Sequence, residues 1–156
     1  STTMEQRKEG LLHTSWKGRF TVINKKPLFI VDGAHNAGAA DKMAESVRHY
    51  FNGKKLIYIM GVFADKEYKI VLEKTAHFAE KIYTIETPDN PRALPAEELA
   101  KAARVYNSSA ESTKSIKDAV EKAFSCAGDD ENSVILAFGS LSFIGALTNA
   151  VEEYVG

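Results

Sequence analysis

A single cysteine, Cys126, stands in the whole sequence, so no internal disulfide can brace the chain. Stability must come from a packed core, and one thiol suits a reducing compartment. Cys126 itself lies in an apolar helical pattern and reads as core. No apolar run approaches the ~20 residues of a membrane span, and no signal-peptide pattern opens the sequence. Both absences point to a cytoplasmic location without a membrane partner. Neither charge sign dominates, with 20 basic and 21 acidic residues. No field draws a polyanion, so nucleic acid is excluded as a main partner. Histidine offers no metal site either. His13, His35, His49 and His77 form no ligand pair at helical spacing, and one cysteine cannot build a zinc centre. His49 and His77 lie in helical stretches and read as surface residues. Repeats, low-complexity tracts and internal linkers are also missing.

What remains is 156 residues, 44% hydrophobic and 26% charged, enough for one domain with a substantial core. Its organising stretch is Leu28-Phe29-Ile30-Val31, which runs straight into Asp32-Gly33-Ala34-His35-Asn36. Four apolar residues predict a strand buried on both faces. A helical stripe follows over 37–51, with Asn36 as its N-cap and Gly53 just past its end. The same alternation recurs along the chain. Strands are predicted at 20–24, 56–61, 82–85 and 133–138. Helices are predicted at 67–79, from Pro95 as first helical residue to 104, at 116–127 behind a Ser115/Asp118 capping box, and from 141 to the end. Val105-Tyr106 reads as a further short strand. Residues 4–15 are polar, with one or two helical turns around 6–12 and too few apolar positions to bury them. Alternating elements with right-handed crossovers give a Rossmann-like α/β fold, a mostly parallel sheet with helices on both faces.

In such a sheet the turns after the strands gather at one edge, where ligands bind. That edge would hold Asp32, His35 and Asn36, then Asp65 and Lys66, then Asp89, Asn90 and Arg92, and finally Ser140 and Ser142. Helix N–H groups behind Asn36 favour an anion, and His35 can donate to a phosphate oxygen. An aspartate at a strand end can bind ribose hydroxyls. The plainer reading is that Asn36, Asp65 and Ser140 only cap helices. The glycine spacing from Gly33 to Gly38 matches a Walker A loop, but Ala39 and Ala40 replace its lysine and hydroxyl, so this is no P-loop. No strand leads into G-x-G-x-x-G, and neither serine sits in G-x-S-x-G. Arg92, on a loop stiffened by Pro91, can clamp a carboxylate bidentately or pair with a local acid.

Five pieces in order, Trp16-Lys-Gly-Arg19-Phe20, Val31-Asp32-Gly-Ala-His35-Asn36, Met60-Gly-Val-Phe-Ala-Asp65-Lys66, Thr87-Pro-Asp-Asn-Pro91-Arg92-Ala-Leu and Gly139-Ser140-Leu, resemble the C-terminal domain of folylpolyglutamate synthases, in the Mur ligase superfamily. The resemblance spans residue 11 to the end and departs at Ala37, where the family usually has proline. It implies an ATP-dependent ligase that adds glutamate to folate through an acyl phosphate, and in many bacterial members also joins dihydropteroate to glutamate. It assigns ATP contacts to Arg19, Asp32, His35 and Asn36, and a glutamate cleft to Ser140, Arg92 and Lys66. No catalytic residue is implied in this stretch alone. The P-loop and the Mg²⁺ ligands of that family belong to an N-terminal domain, so residues 1–18 read as its tail and linker and 19–156 as the C-terminal domain. The implied partners are that P-loop domain, ATP, L-glutamate and folate, in a monomer whose C-terminal half is inactive alone. Rival readings are a free-standing α/β binding module and the C-terminal domain of a muramyl-peptide-type ligase.

Overall fold

The computed structural model describes residues 15–17 and 19–156, so the helical turns expected around 6–12 lie outside the described residues. Strands β1 (Ser15–Trp16), β2 (Phe20–Asn24) and β3 (Leu28–Val31) form an antiparallel meander. The β2–β3 turn is closed by Asn24 Nδ2, which donates to Pro27 O at 2.9 Å. Trp16 stacks on Phe51 at 4.9 Å and meets Tyr50 edge-on at 5.3 Å. The sheet thus includes Ser15–Trp16.

From β3 onward strands and helices alternate. They are α1 (Ala37–Tyr50), β4 (Lys55–Met60), α2 (Tyr68–Thr75), β5 (Lys81–Thr84), α3 (Ala96–Arg104), β6 (Glu111–Ser112), α4 (Ile116–Ala127), β7 (Ser133–Phe138) and α5 (Ile144–Val155). Short 3₁₀ turns, Ala76–Phe78 and Leu141–Phe143, extend α2 and precede α5. The seven-stranded sheet runs β1-β2-β3-β7-β4-β5-β6 and is parallel from β3 to β6.

Why the strands read as unbroken apolar runs is now visible. In β4, Leu56, Tyr58 and Met60 join Met43, Val47, Leu72 and Leu99 of α1, α2 and α3 on one face. Ile57 and Ile59 join Val120, Phe124, Leu147 and Val151 of α4 and α5 on the other. Each fully buried aliphatic of this kind is worth roughly 1.5–3 kcal/mol. Two helix starts follow local rules. Asn36 Oδ1 accepts from Ala39 N at 2.9 Å, and Ser115 Oγ accepts from Asp118 N at 3.0 Å. Pro95 is the cap of α3 rather than its first residue, since its ψ of 142° is extended.

The short strand expected at Val105-Tyr106 is not formed. Those residues close α3 in a tight turn, Val105 N donating to Ala102 O and Tyr106 N to Ala103 O. Asn107 then anchors the chain, its Nδ2 donating to both Ala76 O and Ala79 O. The edge strand comes later, at β6, where Glu111 accepts from Lys81 and Lys122.

Gly139, at the end of β7, has φ +114°, and a Cβ there would run into the Gly61 carbonyl oxygen. Gly145, in the first turn of α5, faces open space. Gly139→Ala is expected to cost about 2 kcal/mol or more in urea unfolding. Gly145→Ala is expected to be neutral or stabilising by up to about 1 kcal/mol.

Candidate functional site

The parallel register brings the strand-end turns to one edge in the order β3, β7, β4, β5. Asp32 N donates to Ala137 O at 3.0 Å, extending the β3–β7 ladder by one bond and setting Asp32 beside the turn that carries Ser140. Leu141, 61% exposed, lies over Gly33 of the neighbouring turn.

Asp32 is 5% exposed and its carboxylate is fully engaged. Oδ2 accepts from Ala34 N at 2.8 Å and from Arg19 Nη2 at 3.2 Å. Arg19 Nε lies 3.0 Å from Oδ1, an ion pair out of line for a hydrogen bond. Arg19 Nη2 also donates to Ala39 O at 3.2 Å, so the guanidinium ties β2's entry to β3's exit and to the first turn of α1. Burial raises the Asp32 carboxyl above its ordinary value, outweighing the downward pull of Arg19.

Beside this pair His35 is exposed, with Nδ1 2.9 Å from Gly33 O. A carbonyl only accepts, so Nδ1 carries the proton and Nε2 points away from that bond. Neutral, that nitrogen accepts; protonated, it donates. Asn36 is occupied as the α1 cap. Ala37 N donates to Glu67 Oε1 at 3.2 Å. The N–H that a proline at this position would lack thus links α1 to the loop after β4, a contact that no local sequence rule signals.

The second group lies further along the edge. Arg92 forms a bidentate pair with Asp65, Nε to Oδ2 at 3.2 Å and Nη2 to Oδ2 at 2.9 Å. Its Cζ sits 4.6 Å from the centre of the Phe63 ring. The two loops are joined by Ala64 N to Arg92 O at 2.7 Å and by the Phe63–Ala93 bridge. The Arg92 guanidinium holds the exposed Asp65 carboxyl below its ordinary range, chiefly through their hydrogen bond. Lys66 follows on the same loop and is exposed. Ser140 is buried, and its Oγ accepts from Ser142 N at 3.2 Å and lies 2.8 Å from Ser142 Oγ.

Thus Arg19, Asp32, His35 and Asn36 surround one turn, while Lys66 and Arg92 share a two-loop unit with Asp65. The pairing of Arg92 with a local acid, left open by the sequence, is the arrangement found. Among the described residues no three His, Cys, Asp or Glu groups cluster to hold a metal ion. Nor is any helix among them long and apolar enough to cross a membrane. Two larger cavities, of about 620 and 640 Å³, are lined by other residues, including Trp16 and Phe51 in one and Thr113 and Ile116 in the other. Asp32, His35 and Ser140 line neither of these, and of the three His35 is exposed.

Because Asp32 is raised in the folded state, folding favours its protonated form. Its contribution to stability is fully present below the unfolded value near 3.8 and is lost as pH rises through the folded value. Asp65, Glu97 and Glu111 are lowered and act in the opposite sense, losing their contribution as pH falls. The stability of the wild type relative to Asp32→Asn is expected to fall with rising pH above about 4 in urea titrations. A rise would contradict the desolvation of Asp32.

Residues 18–141 match the family described as Mur ligase, glutamate ligase domain. The dihydrofolate synthase/folylpolyglutamate synthase of Bacillus subtilis is 29% identical over 148 residues, covering 95% of this chain and 33% of that protein. The folylpolyglutamate synthase structure from Thermotoga maritima superposes with a TM-score of 0.70 at 27% identity, over 92% of this chain and 32% of that one. E. coli FolC in complex with DHPP and ADP gives a TM-score of 0.76 at 20% identity, over 95% and 34%. The chain thus spans about a third of these relatives' length and corresponds to their C-terminal part. With most of its length matched, and with the fold shared, the chain belongs to the glutamate ligase domain family of the Mur ligases.

Proposed function

We propose that this chain is the C-terminal, nucleotide- and glutamate-contacting domain of a monomeric ATP-dependent ligase that adds glutamate to folate, with or without dihydrofolate synthase activity. The observation that carries this reading is the strand-end edge, where an arginine–aspartate pair, a histidine and a helix N-terminus adjoin a second, arginine-bearing unit. An edge with donors for phosphate and for carboxylate suits half of a composite site. An N-terminal P-loop domain supplies the other half.

On this reading Asp32 acts on the nucleotide mainly by fixing Arg19, since Oδ2 accepts from Arg19 and Ala34 and Oδ1 faces Arg19 Nε. Arg19 and His35 meet phosphate oxygens. Asn36 keeps the α1 N-terminus formed beneath them. Lys66, Arg92 and Ser140 face the incoming glutamate. ATP supplies the phosphoryl group that activates the folate carboxylate, and Mg²⁺ enters with the nucleotide on ligands of the other domain. Closing the two halves excludes water and completes the charge-stabilising set.

The test is glutamate incorporation by the intact polypeptide, given ATP, L-glutamate and a folate acceptor. Glutamate-dependent ADP release is expected from the intact protein and none from this chain alone. Arg19→Ala is expected to lower kcat/KM for ATP by roughly 10- to 100-fold. Full ligation by this chain alone, or an unchanged Arg19→Ala variant, would overturn the reading.

A further inference from the structure

The Arg92 guanidinium is fixed from three directions. Asp65 takes its Nε–Nη2 edge, with contacts of 3.2 Å to Nε and of 2.9 and 3.1 Å to Nη2. The Phe63 ring covers one π-face at 4.6 Å. The backbone beneath it is held by Asn90 Oδ1, which accepts from Arg92 N at 2.9 Å, and by Ala64 N, which donates to Arg92 O at 2.7 Å. Leu94 N closes the same unit by donating to Val62 O at 3.0 Å.

A guanidinium has five N–H groups and two edges that each match a carboxylate. Asp65 fills the side-on edge. Both N–H groups of Nη1 and the second of Nη2 remain; one from each nitrogen makes the end-on edge, and no acceptor among the described residues takes Nη1. The Arg92 side chain is 47% exposed. Lys66 follows Asp65 on the same loop and adds a second cation.

We propose that Asp65 is a positioning residue, which locks the Nε–Nη2 edge of Arg92 so that its Nη1–Nη2 edge is presented to one carboxylate of the amino-acid substrate. This rests on the reading above that Arg92 faces glutamate. An arginine held this way loses little side-chain freedom when the substrate arrives, which favours substrate binding without new contacts. A free arginine would have to be ordered at that moment.

The experiment measures KM for L-glutamate, KM for ATP and kcat in the intact ligase for Asp65→Ala, Asp65→Asn, Arg92→Ala and the Asp65→Ala/Arg92→Ala double variant. Asp65→Ala is expected to raise the glutamate KM about tenfold, as expected for an ordering loss at one charge-assisted contact, with KM for ATP and kcat within about twofold. Asp65→Asn, which keeps one acceptor, is expected to fall between wild type and Asp65→Ala. The double variant is expected to match Arg92→Ala, because Asp65 acts only through Arg92. A glutamate KM that is unchanged or lowered in Asp65→Ala but raised in Arg92→Ala would overturn the positioning role and make Asp65 a bystander or a blocker. Equal rises in both KM values for Asp65→Ala would mark a general structural role and also overturn it. An unchanged glutamate KM in Arg92→Ala would instead remove the reading on which the proposal rests.

Discussion

The pairing of β7 with both β3 and β4 is the constraint on which the rest of the structure depends. The last strand in sequence fills the centre of the sheet, and each of its residues, Ser133–Phe138, is buried. Its ladder with β3 puts Ala137 opposite Val31, and its ladder with β4 puts Phe138 opposite Met60. Three turns therefore leave the sheet side by side, at Asp32, at Gly139-Ser140 and at Gly61. At Gly139 the chain lies against the Gly61 carbonyl, and the missing Cβ of Gly139 makes that approach possible. Without β7 the β3 and β4 turns would not share an edge with Ser140 between them.

On that edge the polar groups are divided between two kinds of support. Around β3 the charges are inward: Asp32 is buried and clamps Arg19 against the Ala39 carbonyl. Around β4 and β5 they are outward: Asp65 and Arg92 are both exposed, and an aromatic ring and two backbone bonds fix them. A buried pair of this kind costs desolvation, and that cost appears as the raised carboxyl of Asp32. The exposed pair adds little stability in water. Its significance is in orientation. Both arrangements fix an arginine side chain at the same end of the sheet.

Much of the fold was legible because its rules are local. Leu28–Val31, Leu56 to Met60 and Ser133–Phe138 are continuous apolar runs, and strands covered on both faces must be so. Asn36 and Ser115 cap their helices through contacts three residues away, within reach of sequence rules. Val105-Tyr106 misled because β propensity was weighed without the helical turn that precedes it, and Asn107 settled the path through contacts with residues 76 and 79. The positions of Asp32, Asp65, Arg92 and Ser140 at one end of the sheet were legible, since each follows an apolar run. Their partners were not. Arg92 finds Asp65 across 27 residues, and Ala37 finds Glu67 across 30. Such pairs depend on strand order, and no local pattern in the chain announces that β7 enters between β3 and β4.

The central claim is that this edge, and not a cavity elsewhere on the domain, meets the nucleotide. The most direct measurement is an ADP titration of the ¹⁵N-labelled chain followed by amide chemical shifts. Shifts are expected for Asp32 to Ala39 and the Arg19 turn, with the amides of Gly128 to Glu131, at the far end of the sheet, unmoved. Shifts concentrated at Gly128 to Glu131 and Lys54, with the Asp32 turn silent, would contradict the account.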